Sequence, residues 1–348
     1  MSKNATRRAS VLDVAKLAGV SVGTVSNVLN RPDAVAQATK DRVEAAIAEL
    51  SFVPNGRARS LRAGKVTTVG VVVLDIRNPF FTEVARGIED RLGADGYTLM
   101  LANSDGERAR EQRSLRMFEE HGVAGVIITP GASGVGEIAA MHRRGVKVVL
   151  LENPSTIPGV PSVSVDNELG GALAVGHLLE QGHRTITFFN GPHGIRQCAE
   201  RWRGARRAVL DAGLDPDEVL REVRIDSLDA AGGDAAMRAV HATEGAPPSA
   251  LFCVNDLVAI GAQRALRHLG GHRLLRSVAV VGYDDLDISA ELAVPLTSVR
   301  QPALAMGQRA ADLLITGGAD SAAQQVVFQP ELVVRASSVD TAETASAD

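Results

Sequence analysis

The sequence predicts a small all-α head followed by an α/β body of two doubly wound parallel-sheet subdomains. Up to residue 65 the apolar patterns are helical, whereas from residue 69 onward short apolar runs of strand length alternate with helical stretches. The charge changes sign at the same place: residues 1–65 hold 11 Lys and Arg against 5 Asp and Glu, and the rest hold 26 against 36. A chain of 348 residues is long enough for two or three domains.

The head begins with two short helices joined by a tight turn. Ser10 is placed to cap the first helix, and Asp13, three residues later, completes a capping-box pattern. Gly19 ends that helix where the chain must turn, and Ser21 is placed to cap the second. The residues predicted to face inward on the first helix are Val14, Leu17 and Ala18.

The second helix has an apolar face and an outer face. Val25, Val28 and Leu29 are predicted to face the first helix. The residues left outside are Val22, Gly23, Thr24, Ser26 and Asn27. Spacing alone also fits an ordinary pair of helices, but the basic charge favours a helix-turn-helix module, which places its second helix in the DNA major groove.

Two further segments complete the head. A third helix is predicted at 38–50, with its apolar face formed by Val43, Ala46, Ile47 and Leu50. Residues 55–63 form a short basic segment with one prominent apolar side chain, Leu61, and Gly64-Lys65 follows as a joint. The sequence therefore predicts a DNA-binding domain over 1–54 and a linker over 55–65.

The body alternates strands and helices. Strands are predicted at 69–74, 97–102, 125–129, 146–151, 163–165, 185–189, 220–225, 250–254 and 278–281. Helices are predicted at 82–94, 107–120, 134–143, 168–180, 201–212, 230–241 and 256–268. This number of strands is larger than a single sheet usually holds, so two subdomains are expected. A ligand cleft is expected beyond the carboxyl ends of their strands.

The predicted division of the body is approximate. One subdomain is assigned about 66–182 and 298–328, and the other about 183–297 and 329–340. The small, polar residues 341–348 are expected to form a disordered tail.

Composition narrows the class of protein. Hydrophobic residues make up 45% of the chain and aromatic residues 3%, which predicts aliphatic cores. No apolar run approaches a membrane span or a secretory signal, so a cytoplasmic protein without a membrane partner is expected.

Cys198 and Cys253 lack metal-binding spacing and are predicted to be buried thiols. Nucleotide-binding, zinc-protease and hydrolase motifs are missing, so neither an enzyme nor a metal or cofactor is expected.

Short motifs resemble the lactose/purine-repressor (LacI) family of bacterial transcription regulators. In the head these are DVAKLAGVSVGTVSNVLN at 13–30, VPN at 53–55 and ARSL at 58–61. In the body they are NPFF at 78–81, VDN at 165–167, QGHR at 181–184, CVNDLVAIGA at 253–262, VGYDD at 281–285, PLTSVRQP at 295–302 and LVVRASS at 332–338. The resemblance implies a repressor that binds a pseudo-palindromic double-stranded DNA operator as a homodimer.

The resemblance also assigns DNA contacts. Positions that hold phosphates in the family match Ser10, Ser21, Thr24, Ser26 and Asn30. Positions that face base edges match Val22, Gly23 and Asn27, of which only Asn27 can make a bidentate contact, with adenine preferred. The segment 55–63 matches the family's hinge helix, in which Leu61 would enter the minor groove and Arg57 and Arg59 would meet phosphate or the narrow groove.

For the body, the resemblance implies a periplasmic-binding-protein-like fold that responds allosterically to a small molecule in its cleft. Phe80 and Phe81 are the expected stacking groups. The expected polar contacts are Asp166, Arg196, Arg201, Asn255, Asp256, Asp284 and Gln301. A sugar or sugar derivative is expected, and Arg196 would suit a sugar phosphate.

Two alternatives stay open at this point. Asn255 and Asp256 fit a helix cap as well as they fit a ligand contact. A secreted solute-binding protein would share the body, but it would need an export signal and would have no DNA-binding head.

Overall fold

The computed structural model describes residues 9–52, 66–131, 135–317 and 324–339. The chain divides between Thr67 and Thr68 into two compact units, a head and a body. The predicted linker at 55–65 and the predicted tail at 341–348 lie outside the described residues.

Local signals set the ends of the head helices. These helices are α1 (Val11–Ala18), α2 (Val22–Asn30) and α3 (Gln37–Glu49), with a short 3₁₀ helix at Pro32–Ala34. The capping box is confirmed: Ser10 Oγ accepts from the Asp13 backbone N at 3.3 Å, and Asp13 Oδ2 accepts from the Ser10 backbone N at 2.8 Å. Gly19 has a φ of 64°, so the turn after α1 uses the left-handed region that glycine adopts without strain.

The head core lies where α1, α2 and α3 meet. Val14, Val25 and Val43 are fully buried there. The prediction that Leu17 faces inward is wrong, because its side chain is 45% exposed. At 3.6 residues per turn, Ala15 and Ala18 lie to one side of Val14 and are buried, whereas Leu17 falls to the other side.

The body contains two six-stranded sheets. The first holds β1 (Thr68–Val73), β2 (Thr98–Asn103), β3 (Gly125–Ile128), β4 (Val148–Leu151), β5 (Ser162–Val165) and β11 (Gln325–Phe328), in the order β11-β5-β4-β3-β1-β2. The second holds β6 (Ile186–Asn190), β7 (Leu220–Arg224), β8 (Ala250–Cys253), β9 (Ala279–Asp284), β10 (Thr297–Arg300) and β12 (Glu331–Val333), in the order β12-β10-β9-β8-β6-β7. Among these pairings only β10 with β12 is antiparallel, so the predicted pair of doubly wound parallel sheets is confirmed.

Helices cover both faces of each sheet. They are α4 (Pro79–Ala94), α5 (Arg108–His121), α6 (Val135–Arg143), α7 (Asn167–Glu180), α8 (Arg196–Asp211), α9 (Pro216–Val219), α10 (Ala230–Glu244), α11 (Asp256–Ser277), α12 (Asp287–Ala290) and α13 (Ala303–Thr316). On β1 the side chains alternate: Val71 and Val73 join the core under α4 and α13, while Val72 joins the core under α5 and α6. Because both faces of β1 are buried, its sequence is one continuous apolar run.

No single helix in the described parts of the chain combines the length and apolarity that a membrane span needs. Among the described helices, α1 and α2 are the one pair that reaches the required length and composition when taken together, and they are bent by 102° relative to each other.

The chain passes between the two sheets three times, and the first of these passages differs from the predicted division. Helix α7 packs on α8, and its Ala174, Val175 and Leu178 lie in the core of the second sheet, so the first change of sheet comes near residue 166 rather than 182. Strand β10 pairs with β9, and α13 then packs on α4, so the chain returns after residue 300. The sequence pattern predicted neither α13 nor the short strands β10, β11 and β12, which hold three or four residues each.

Glycines allow close crossings of the body helices. A Cβ atom added to Gly204 on α8 would overlap the backbone carbonyl of Glu168 on α7. Reciprocally, a Cβ added to Gly171 on α7 would overlap the carbonyl of Arg201 on α8. The same reciprocal arrangement joins α4 to α13 through Gly87 and Gly307. The backbones of the paired helices are therefore in direct contact, and the distance between α7 and α8 depends on these glycines.

Candidate functional site

The outer face of α2 presents the side chains that the sequence assigns to DNA. Gly23 and Asn27 are exposed, and Val22 is half-buried at the first turn. Ser21 Oγ lies 2.9 Å from Thr24 Oγ1 and also accepts from the Thr24 backbone N at 3.1 Å. These hydroxyls sit at the N-terminus of α2, where a helix favours an anion such as a phosphate.

The far end of α2 carries a second polar pair. Asn30 Nδ2 donates to the backbone O of Ser26 at 2.8 Å and to Ser26 Oγ at 3.3 Å. Ser10 belongs to the capping box of α1, so its side chain has a structural partner in Asp13. Arg57, Arg59 and Leu61 lie outside the described residues.

Substitution of alanine for glycine should have opposite effects on the stability of the head at Gly23 and at Gly19. At Gly23 a Cβ would lie 3.6 Å from Ser21 Oγ, an ordinary contact inside a helix, so Gly23→Ala should stabilise the head by about 0.5–1 kcal/mol. At Gly19 a Cβ meets open space, but the φ of 64° strains any other residue, so Gly19→Ala should destabilise it by about 1 kcal/mol. Amide hydrogen exchange of the Val25 and Val43 backbones in the full-length protein would measure both. If both substitutions changed the free energy of opening of the head in the same direction, the prediction would be contradicted.

The body holds a cavity of about 560 Å³. Its walls come from residues that follow the carboxyl ends of strands in both sheets, such as Asn78 after β1, Glu152 after β4, Arg201 after β6 and Gln301 after β10. A ligand in this cavity would therefore touch both subdomains at once. This is the position in which open α/β sheets bind ligands.

Asp284 accepts hydrogen bonds from two other side chains of the cavity lining. Its Oδ1 accepts from Gln301 Nε2 at 2.7 Å, and its Oδ2 accepts from Asn78 Nδ2 at 3.0 Å. Asn78 belongs to the first subdomain, so this bond joins the two walls. Burial raises the pKa of Asp284 above the ordinary range of a carboxyl, against the opposing effect of Arg201. The φ of 111° at Asp284 is strained for a residue with a side chain, and such strain is concentrated at functional sites.

Arg201 is a buried cation with fixed partners. Its Nε donates to Asn167 Oδ1 at 3.0 Å, and its Nη1 donates to the carbonyl oxygen of Val254. Its guanidinium group lies 3.4 Å from the ring centroid of Tyr283. The side chain is only 5% exposed, so it presents little more than one edge to the cavity.

The sequence patterns missed Glu152. This residue directly follows β4, lines the cavity and is 2% exposed. Burial raises the pKa of Glu152 to about 7, and Arg201 opposes that rise. Its Oε2 accepts a long hydrogen bond of 3.5 Å from Gln197 Nε2. The one sequence signal that could have indicated Glu152 is its position, since it is a single acidic residue directly after an apolar run of strand length.

The other predicted cavity residues divide into two groups. Those on the cavity lining are Phe80, Phe81, Arg196, Arg201, Asn255, Asp284 and Gln301. The two phenylalanines are almost fully buried and pack edge to face with ring centroids 5.1 Å apart. Asn255 is also the cap of α11, because its Oδ1 accepts from the Val258 backbone N at 2.9 Å.

Asp166 and Asp256 lie away from the cavity lining. Asp166 caps α7, where its Oδ1 accepts from the Leu169 backbone N at 2.9 Å. Asp256 is fully buried, and its carboxyl group accepts from Ser298 Oγ at 2.6 Å, Ser289 Oγ at 2.6 Å and the Leu286 backbone N at 2.9 Å. These bonds correct the expectation of ligand contact: Asp256 braces the segment that carries Asp284.

Family models match both parts of the chain. Residues 10–55 match the bacterial regulatory proteins of the lacI family, and residues 66–329 match the periplasmic binding proteins and sugar binding domain of the LacI family. The protein belongs to the LacI family. This LacI-family member is a DNA-binding transcription regulator, as the sequence predicts.

Relatives and solved structures agree with this assignment. The HTH-type transcriptional repressors PurR of Aliivibrio fischeri and Vibrio vulnificus are each 34% identical to the chain, over 94% of its length and 98% of theirs. The lac repressor dimer bound to operator and the anti-inducer ONPF superposes with a TM-score of 0.78 at 26% identity, covering 96% of this chain and all of that one. The complex of the transcriptional regulator CelR with cellobiose gives 0.67 at 32% identity, covering 95% of this chain and all of that one.

Proposed function

We propose that this LacI-family protein is a repressor that binds a pseudo-palindromic operator as a homodimer and changes its operator affinity when a sugar or sugar derivative occupies the body cavity. One observation carries the effector part of the proposal: the cavity takes polar side chains from both subdomains, joined across the cleft by the bond from Asn78 to Asp284. A ligand that contacts both walls can favour one arrangement of the subdomains, and only such differential binding can drive an allosteric change.

The relatives support the same function. The lac repressor structure shows a dimer on its operator, and other solved relatives hold cellobiose or ribose. The PurR proteins are named as repressors, which supports repression as the output.

The proposal is tested in two steps with the purified full-length protein. Selection from random double-stranded DNA would recover the operator, and we expect a two-fold symmetric sequence. A thermal-shift screen of sugars and sugar derivatives would then find the effector, since a ligand at 100 times its dissociation constant adds about 2.7 kcal/mol to the free energy of unfolding. Failure to enrich any DNA sequence would contradict operator binding. A bound sugar that leaves operator affinity unchanged would contradict allosteric control.

Asn27 is the side chain on which operator discrimination should depend most. Among the three outward positions expected to face base edges, Val22 offers only apolar contact and Gly23 has no side chain. We therefore expect Asn27→Ala to reduce discrimination against operators changed at one base pair by about 1–3 kcal/mol, which is about 5- to 150-fold in relative affinity. Fluorescence anisotropy on a set of singly changed operators would measure it. Unchanged discrimination, with or without weaker overall binding, would show that DNA shape and backbone contacts supply the specificity.

A further inference from the structure

Two buried acceptors on the cavity lining have no donor within the described residues. They are Glu152 Oε1 and Gln301 Oε1, on side chains that are 2% and 4% exposed. The orientation of the Gln301 amide follows from its neighbour, since its Nε2 must donate to the carboxylate of Asp284. Because buried acceptors are satisfied in nearly all proteins, these two atoms call for donors from a ligand.

Each of the three arginines among the described lining residues already has a polar partner. Arg77 is paired with Asp75 at 2.9 Å, and Arg196 is paired with Glu200. Arg201 donates to Asn167 and to the carbonyl of Val254 and stacks on Tyr283. An incoming phosphate would therefore compete with partners that these guanidinium groups already have.

The charge balance points the same way. The described lining residues include five carboxylates, Asp75, Asp105, Glu152, Asp226 and Asp284, against the three arginines. Burial of an unpaired carboxylate is unfavourable, and a cation placed beside it removes much of that cost. The raised pKa of Glu152 agrees, since burial outweighs the effect of Arg201, and Asp284 and Glu200 add negative charge nearby.

We propose that the effector is an amine-bearing polyol, such as an amino sugar, whose ammonium group binds Glu152 and whose hydroxyl groups donate to Gln301. This inference rests on the proposed function, in which the cavity is the effector site. It favours an amino sugar over the sugar phosphates that Arg196 suggested in the sequence.

The test compares the same sugar in three forms. Glucose, glucosamine and glucose 6-phosphate, and the corresponding galactose set, would be titrated into the full-length protein by calorimetry and thermal shift at pH 8. We expect at least one amino sugar to bind about tenfold or more tightly than its neutral parent, and the phosphates not to bind. In Glu152→Gln the amino sugar should lose this advantage, whereas in the control Glu83→Gln, an exposed position on α4, it should keep it.

The pH profile supplies a second readout. Lowering the pH from 8 to 5 adds a proton to Glu152, while the amine of the sugar gains its proton in both proteins alike. The ratio of the amino-sugar affinity of the wild type to that of Glu152→Gln should therefore fall. Arg201, Glu200 and Asp284 face this carboxyl group in both proteins, so their effects cancel in the comparison.

The outcomes separate this inference from the proposed function. Tighter binding of a phosphate or a neutral parent than of its amino form would overturn the inference and leave the cavity as the effector site. An amino sugar that binds equally well to Glu152→Gln would overturn it too. Binding of no member of either set would also overturn it, while operator selection would still test DNA binding independently.

Discussion

Gly204→Ala is expected to destabilise the body by about 3 kcal/mol. Gly204 lies where α8 crosses α7, and its new Cβ would overlap the backbone carbonyl of Glu168. A backbone atom cannot turn aside as the end of a side chain can, so the two helices would have to separate. The reciprocal contact of Gly171 with the carbonyl of Arg201 would be lost with them.

Urea unfolding followed by the fluorescence of Trp202, the single tryptophan of the chain, would measure the change. Gly176→Ala on α7 is the matched control, because a Cβ there meets nothing within 4 Å. Alanine should stabilise that helix position by about 0.5–1 kcal/mol. If Gly204→Ala instead matched the wild type in stability, the close crossing of α7 and α8 would be wrong.

Glu152→Gln is expected to stabilise the body more at pH 8 than at pH 5. Burial raises the pKa of Glu152 to about 7 from an ordinary value of 4.5, so between these pH values the folded protein holds a proton that the unfolded chain has lost. The stability that this proton supplies is fully present below pH 4.5 and is lost as the pH rises through 7. Glutamine keeps the shape of the side chain and cannot ionise, so the variant avoids the loss.

The difference in unfolding free energy between Glu152→Gln and the wild type should therefore grow by about 3 kcal/mol across this pH range, and then level off. Urea titrations at pH 5, 6, 7 and 8 would follow it. Other titratable groups, such as His177, whose pKa burial lowers, are present in both proteins and cancel in the difference. Glu83→Gln, at an exposed position, should show no such trend. A difference independent of pH at Glu152 would show that its carboxyl group is well solvated or paired.

The head shows how far local signals reach. Ser10, Asp13, Gly19 and Ser21 set the ends of α1 and α2, because capping and left-handed turns depend on residues within one helical turn. Leu17 shows the limit. It is large and apolar and sits at a spacing compatible with the stripe, but the side of α1 that is buried depends on where α2 and α3 pack.

The cavity shows the same division between local and distant information. Asp284 ends β9 and Gln301 follows β10, and both lie in quoted family motifs, so the sequence could name them. Glu152 has no neighbouring pattern, and the groups that act on its carboxyl, Gln197 and Arg201, lie on α8 in the other subdomain.

By itself the sequence determined the class of each unit, the family, the helix ends of the head and most of the strands, since each of these depends on periodicity, caps or motifs within a short stretch of chain. Only the tertiary structure decided that α7 belongs with the second sheet, that Asp256 is a buried brace rather than a ligand contact, and that Glu152 Oε1 has no hydrogen-bond donor among the described residues. The physical reason is that burial, pairing and the pKa of a carboxyl group depend on atoms brought together from residues that are 30 to 50 positions apart in the chain.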